Sequence, residues 1–211
     1  SSAASDVYKR QSFIFLSAAL RNDRDLILQL LKSTTQWKTE KENINQKAEF
    51  HNVDICDIHI KGLCSMFEGV DVVFHTAAKA RVQPSFDNPT RSFKSNCLGT
   101  QNLLEWARRF NTPVVYAGTS SAHGDIFANP YTFTKCQGEE IVTMYNKLFN
   151  LPTAICRFYN VYGPHQITEG AYCCVLGIFE RQFYKGNPLT ITGDGEQRRD
   201  FTHGEDIVDG M

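Results

Sequence analysis

The sequence predicts an α/β fold, a doubly wound parallel sheet followed by the start of a smaller region, and three observations carry the prediction. From about Glu49 onward, short β-branched or aromatic runs alternate with longer amphipathic stretches. The short runs are nearly continuous in apolar residues, the pattern of strands buried on both faces. Strand, helix, strand, helix with single turns between them argues for a parallel sheet covered on both sides.

The elements follow in order. Residues 12–37 offer a short apolar run, Phe13-Ile14-Phe15-Leu16, and a leucine-rich helix, Leu26-Ile27-Leu28-Gln29-Leu30-Leu31. Residues 49–54 read as a weak strand, residues 58–67 as a helix and residues 70–75, Val-Asp-Val-Val-Phe-His, as a buried strand. A helix is predicted over 89–110, where Leu98, Asn102, Leu103, Trp106 and Phe110 recur at helical spacing. A strand over 112–117 and a helix over 131–149 come next, the helix carrying Ile141, Met144, Tyr145 and Leu148 on one side. Residues 153–159 give the last strand of the series. After Gly163 the rhythm breaks. Pro164, Gly186, Pro188, Gly193 and Gly195 punctuate an appended region with a helix at about 171–185 and a short strand at 189–192.

Composition excludes several function classes. With 211 residues the chain has room for one substantial core and the start of another. A net charge of -1, with acidic and basic residues interspersed, gives no reason to expect nucleic acid or an anionic membrane as partner. No apolar run reaches the length of a membrane span, and no signal-peptide pattern is present. Seven cysteines without a Cys-x-x-Cys read as reduced, mostly buried thiols of a cytoplasmic protein, the adjacent Cys173 and Cys174 included. Both ends read as incomplete: residues 1–11 as a cloning or sequencing scar, and Met211 as a stop within a continuing element.

In doubly wound sheets, ligands bind past the carboxyl ends of the strands. Those positions hold Asp54-Ile55, Thr76-Ala77-Ala78, Gly118-Thr119-Ser120-Ser121 and Asn160-Val161-Tyr162-Gly163. The small residues let a flat ligand approach the backbone, and the hydroxyl cluster faces the helix opened by Tyr131. Tyr131 and Lys135, four apart, share one helical face. A cation beside a phenol favours the phenolate, so this pair is expected to lower the Tyr131 pKa and make a general base. Arg157, inside a predicted strand, reads as a structural ion pair. His75 and His123 lack partners at metal-ligand spacing, so no metal site is predicted.

Six ordered blocks make the chain resemble the extended short-chain dehydrogenase/reductase superfamily, specifically its NAD-dependent nucleotide-sugar epimerases and dehydratases. They are residues 73–78 (VFHTAA), 96–105 (NCLGTQNLLE), the hydroxyls of 119–121, Tyr131-x-x-x-Lys135, residues 157–164 (RFYNVYGP) and residues 193–201 (GDGEQRRDF). The resemblance runs from about Glu42 to the end and implies a Rossmann-like domain over 41–163 and a partial nucleotide-sugar region over 164–211, behind an atypical segment over 1–40. It implies that Tyr131 would take the proton of the sugar 4-hydroxyl, Thr119 would relay it, and Lys135 would hold the nicotinamide ribose. Asp54 and Ile55 would border the adenine of NAD, Thr76, Ala77 and Ala78 would line the dinucleotide, and Asn96 would support the strand ends. Phe158 and Tyr159 would lie by the nicotinamide. Thr119 and Ser120 would meet the sugar, while Asn160 and Arg199 would reach the nucleotide diphosphate of a UDP-sugar. The helices over 89–110 and 131–149 would build a homodimer.

The chain departs from the family pattern in one large respect. The family opens with a glycine-rich turn that cradles the cofactor pyrophosphate, and this sequence has no glycine before Gly62. Residues 124–131 also form a shorter connection than relatives carry, and His123 and His165 stand where a tyrosine and an arginine are usual. Dehydratases and decarboxylases of the family place carboxylates just after the catalytic Thr, whereas here Ser120 and Ser121 follow. The resemblance therefore implies 4-epimerisation, with two alternatives: an inactive fragment without the phosphate cradle, or a dehydratase or decarboxylase of the same family.

Overall fold

The apolar run at 70–75 condenses into the strand β1 (Val73–His75), with Val73 and His75 buried. The structure is a computed structural model that describes residues 54–57, 67–164, 166, 168–170 and 173–211. The predicted segment over 12–37, residues 49–53 of the strand predicted over 49–54, the bulk of the helix over 58–67, the first residues of the helix over 171–185, and His165 lie outside the described residues. Two compact units divide the described chain, residues 54–157 and residues 158–211.

In the first unit, Ile55–Asp57 make one 3-10 turn, β1 follows, and two short helices come next, α1 (Val82–Asp87) and α2 (Pro89–Phe93). Asn88 caps α2 by accepting the Arg91 N–H at 3.1 Å, and Pro89 supplies a preset φ at the first helical position. Residues Lys94–Gly99 then wind as a π-helix before α3 (Thr100–Phe110). The sequence predicted one uninterrupted helix over 89–110; the chain stays helical throughout, but its middle six residues are wider. That widening buries Ser95, Asn96 and Gly99. A methyl added at Gly99 would sit 2.5 Å from Ile55 Cδ1, so any larger residue there would force the buried Ile55 side chain to shift. Asn111, in the left-handed conformation at φ 51°, stops α3.

Strand β2 (Val114–Thr119) pairs in parallel with β1 in the register Val73–Val114, Phe74–Val115 and His75–Tyr116. A 3-10 turn (Ser120–His123) leads to the long helix α4 (Pro130–Phe149). Its start is set by Asn129, which accepts the Thr132 N–H at 2.8 Å, and by Pro130; Asn150 at φ 54° ends it. Strand β3 (Thr153–Phe158) completes the sheet in the order β1-β2-β3. The core between sheet and helices includes Ile55, Phe67, Val73, Leu103, Leu104, Val114, Val142 and Leu151, with Phe67 stacked on Trp106 at 6.2 Å.

The second unit holds β4 (Val161–Tyr162) paired in parallel with β5 (Thr202–His203), the helix α5 (Val175–Tyr184) and the helix α6 (Gly204–Gly210). The strand expected at 189–192 is absent among the described residues. Gln182 of α5 donates to Thr190 Oγ1 at 2.6 Å and accepts the Thr190 N–H at 3.1 Å, so a side chain takes the place of a ladder partner. The six described cysteines form no disulfide and are half-buried rather than mostly buried as expected. No helix among the described residues is long and apolar enough to cross a membrane.

His75 shows how the sheet constrains charge. Thr100 spends its hydroxyl proton on the Asn96 carbonyl at 2.7 Å, so His75 Nε2 must donate to Thr100 Oγ1 at 3.0 Å, and Nδ1 is left bare in the core. Burial, and secondarily the charge of Lys135, pull the His75 pKa from 6.5 down to about 3. Between those values the unfolded chain binds a proton that the folded chain refuses, so stability falls as pH drops through that window. The urea midpoint is expected to fall more steeply between about pH 6.5 and about pH 4 for the natural chain than for His75→Phe. Parallel acid limbs would refute the assignment.

Candidate active site

Helix α4 presents Tyr131, Lys135 and Glu139 at intervals of four, a single stripe facing the carboxyl end of β2. Each member reaches that strand. The Tyr131 hydroxyl lies 3.4 Å from Thr119 Oγ1. Lys135 Nζ donates to the Ala117 carbonyl at 2.6 Å and to the Tyr116 hydroxyl at 2.9 Å, and sits 4.2 Å from the centre of the Tyr116 ring. Glu139 Oε1 accepts the Thr119 N–H at 3.0 Å.

Thr119 is polarised in a defined direction. Ser121 N–H donates to its Oγ1 at 3.2 Å, which occupies a lone pair and leaves the Thr119 proton for Tyr131 or for a ligand oxygen. The backbone N–H of Tyr131 is held by Ser85 Oγ at 3.0 Å, fixing the first turn of α4 against α1.

The electrostatics correct the expectation for the Tyr131–Lys135 pair. The buried lysine turns its ammonium toward Tyr116 and Ala117, and burial, only partly opposed by Glu139, pulls its pKa from 10.5 down to about 8. Tyr131 is raised above its usual 10, by burial first, although its hydrogen bond with Thr119 and the charge of Arg81 act in the lowering direction. The lysine does not depress the tyrosine in this arrangement, because its ammonium is bound to the Tyr116 hydroxyl and the Ala117 carbonyl instead. Tyr116 rises well above its usual value through burial.

A second layer forms around Asn96, which the π-helix turns inward. Its Oδ1 accepts the Lys79 N–H at 2.7 Å, and its Nδ2 donates to the Lys79 carbonyl at 3.2 Å and to Thr134 Oγ1 at 3.0 Å. One amide thus ties the loop after β1, which carries Thr76, Ala77 and Ala78, to α4. Asp54 lies just ahead of the 3-10 turn, where Oδ1 accepts the Cys56 N–H at 2.8 Å. Ile55 is sunk in the core, and its carbonyl accepts from Asn102 at 3.0 Å. Ser120 is half-buried at the head of the turn after β2.

Phe158 ends β3, and Tyr159 follows half-buried. Within the second unit, exposed Asn160, at φ 25°, donates to the Asp200 carbonyl at 2.8 Å, which brings it beside the segment bearing Arg199. Arg199 is exposed and donates to the Arg198 carbonyl at 2.7 Å. Among the described residues no group of three or more His, Cys, Asp or Glu side chains is placed to hold a metal ion.

The sequence reading missed three contributors: Glu139, Tyr116 and Lys79. Glu139 was detectable as the next step of the four-residue spacing. Lys79 carries no such signal; it is a buried lysine whose pKa burial, followed by the charge of Arg91, pulls down to about 7.

Asn96→Ala is expected to strand the Lys79 N–H and carbonyl in the interior and to cost at least about 2 kcal/mol by chemical denaturation. A loss within about 0.5 kcal/mol would mean that the loop after β1 holds itself.

A family model described as the NAD dependent epimerase/dehydratase family matches residues 16–211, starting well ahead of Glu42, where the sequence reading placed the onset of resemblance. A putative UDP-glucose 4-epimerase from Methanocaldococcus jannaschii is 36% identical over 182 residues, covering 80% of this chain and 59% of that protein. A UDP-glucose 4-epimerase from Thermotoga maritima, solved with UDP-glucose, superposes with a TM-score of 0.74 at 28% identity over 81% of this chain and 60% of that one. A UDP-glucuronic acid 4-epimerase from Bacillus cereus, solved with UDP-glucuronic acid and NAD, gives 0.70 at 31% identity over 79% of this chain and 55% of that one. The chain thus spans less than two thirds of each of these relatives.

Proposed function

The chain belongs to the NAD-dependent epimerase/dehydratase family, and we propose that it carries the catalytic end of a nucleotide-sugar 4-epimerase acting through a transient 4-keto sugar. The observation that carries the proposal is the Thr119–Tyr131 contact of 3.4 Å, set among hydroxyls rather than carboxylates. Dehydration or decarboxylation moves protons at carbons other than C4 and calls for a further acid or base there. Ser120 and Ser121 offer none. The carboxylate beside Thr119, that of Glu139, already has one oxygen on the Thr119 N–H and the other on Arg157.

The described residues fit the nicotinamide-ribose end of NAD. The buried Lys135 ammonium spends two of its three donors on Tyr116 and Ala117, leaving one N–H for a ligand hydroxyl. Thr76, Ala77 and Ala78 keep the backbone past β1 open to a flat ligand, with the next residue, Lys79, pinned by Asn96. Asp54 would border the adenine, and Phe158 and Tyr159 the nicotinamide, whereas Ile55, expected beside the adenine, is fully buried in the core and offers a ligand no surface. Bound there, NAD supplies a hydride acceptor and donor for one carbon of the sugar.

The protein's own part is proton handling and orientation. Tyr131 takes the 4-hydroxyl proton and returns it after the sugar has turned. Thr119, oriented by the Ser121 N–H, donates to whichever oxygen carries charge, and the Lys135 ammonium favours the phenolate once a ribose hydroxyl draws it outward. Asn160 and Arg199 would bind the diphosphate, Arg199 by charge-assisted hydrogen bonds. On this reading residues 41–163 serve the cofactor and residues 164–211 the nucleotide sugar.

A homodimer through the helical stretch over 89–110 and α4 accompanies the proposal. Met144 and Leu148, one turn apart on α4, are 41% and 67% exposed, and Leu98 is 42% exposed, more apolar surface than a helix turned to water needs.

The second reading, a chain that cannot hold NAD, is favoured by the lack of any glycine before Gly62. NAD titration by calorimetry separates the two, since micromolar binding would eliminate it. With NAD retained, UDP-glucose and UDP-galactose, or their N-acetyl forms, are expected to interconvert without added reductant, and Tyr131→Phe to lose roughly 10²–10⁴-fold in kcat. A stable 4-keto-6-deoxy sugar as product would overturn the epimerase reading. Leu148→Asp is expected to shift the sedimentation profile toward monomer.

A further inference from the structure

Glu139 lies eight residues past Tyr131 and is 5% exposed. A carboxylate so deep is costly unless all its acceptor capacity is met. Here Oε1 accepts the Thr119 N–H at 3.0 Å, while Oε2 accepts from Arg157 Nε at 2.9 Å and Nη2 at 2.8 Å. One side chain on α4 therefore grips the last residue of β2 and the penultimate residue of β3 together. Arg157 lays its guanidinium against Glu139 while its side chain remains 43% exposed, so the positive partner keeps part of its hydration.

Gly118 is what admits this grip. A methyl at that position would lie 2.7 Å from Glu139 Oε1, 3.0 Å from Ile155 Cγ2 and 3.1 Å from Arg157 Cγ. The carboxylate thus occupies the space that any other residue in β2 would fill, and reaches the next N–H along the strand through it.

We propose that Glu139 is a positioning residue for the reaction: by holding the Thr119 amide it fixes the Thr119 hydroxyl at the Tyr131 phenol. The proposal rests on the epimerase reading for its kinetic consequence, but the geometric claim stands apart from it. Thr119 ends a strand and begins a turn, and its backbone N–H is met there by the Glu139 carboxylate. No bond is made or broken at Glu139. It acts through Thr119, whose hydroxyl is directed from the other side by the Ser121 N–H.

The test uses the full chain labelled at tyrosine Cζ, with Glu139→Ala, Glu139→Gln and Gly118→Ala, each checked for fold by circular dichroism. Gln keeps a carbonyl oxygen for the Thr119 N–H and gives up the charge together with the Oε2 acceptor that Arg157 uses. Gly118→Ala leaves Glu139 in the sequence but displaces its carboxylate. In Glu139→Ala and Gly118→Ala, the Tyr131 resonance, assigned with Tyr131→Phe, is expected to titrate at higher pH than in the natural chain, since the Thr119 hydrogen bond that lowers it is lost. The same two variants are expected to lose at least about tenfold in kcat with KM for the nucleotide sugar within about twofold, and Glu139→Gln to recover most of both. An unchanged Tyr131 titration in folded Glu139→Ala would overturn the proposal. So would a Gln variant as impaired as Ala, because charge on Arg157 rather than the hold on Thr119 would then be the function. If the natural chain turns over no nucleotide sugar, the epimerase reading fails, and the titration alone decides the role of Glu139.

Discussion

The first unit depends on one constraint, the lacing of β2 to α4 by three side chains a helical turn apart. Tyr131, Lys135 and Glu139 reach the Thr119 hydroxyl, the Ala117 carbonyl with the Tyr116 hydroxyl, and the Thr119 amide. A helix repeats a face about every four residues, so all three side chains address the same end of the strand, at residues 116, 117 and 119. Gly138 completes the fit from the helix side, since a methyl there would collide with the Tyr116 hydroxyl. Small residues at 118 and 138 are therefore what allow strand and helix to come close enough for polar side chains to bridge them.

Burying this much polarity is tolerable only because nearly every group is paired. Lys135 meets a carbonyl, a phenol and the face of an aromatic ring, and still has its pKa drawn down to about 8 by burial. His75, close enough to feel that charge, stays neutral. Asn96 is joined on every arm, to both backbone groups of Lys79 and to Thr134. Prearranged dipoles of this kind need little reorganisation when charge develops beside them.

Much of this was legible in the sequence, for identifiable reasons. The strands at 70–75, 112–117 and 153–159 are apolar runs with no competing periodicity, and α4 announces itself by Asn129-Pro130 at its head and Asn150 at its foot. Tyr131, Lys135 and Thr119 were found from spacing and strand-end position. The π-helix at 94–99 was not, because a shift of hydrogen bonding by one residue leaves no mark in composition. Residues 189–192 look like a strand by residue type, yet Gln182 claims the Thr190 backbone. The direction of the Lys135 ammonium is set by its bonds to the Tyr116 hydroxyl and the Ala117 carbonyl, two β2 groups that helical spacing does not reveal. Glu139 went unnoticed because a glutamate on a long helix ordinarily faces water; only Gly118, twenty-one residues earlier, opens the space that admits it.

The central claim is that this constellation serves removal and return of hydrogen at one sugar carbon without exchange at its neighbours. Its most direct test is to run the chain with NAD and UDP-galactose in D2O and read the product by NMR. The account predicts UDP-glucose with protium retained at C4 and at C5. Deuterium on the sugar carbons, a 4-keto-6-deoxy product, or no turnover would contradict it.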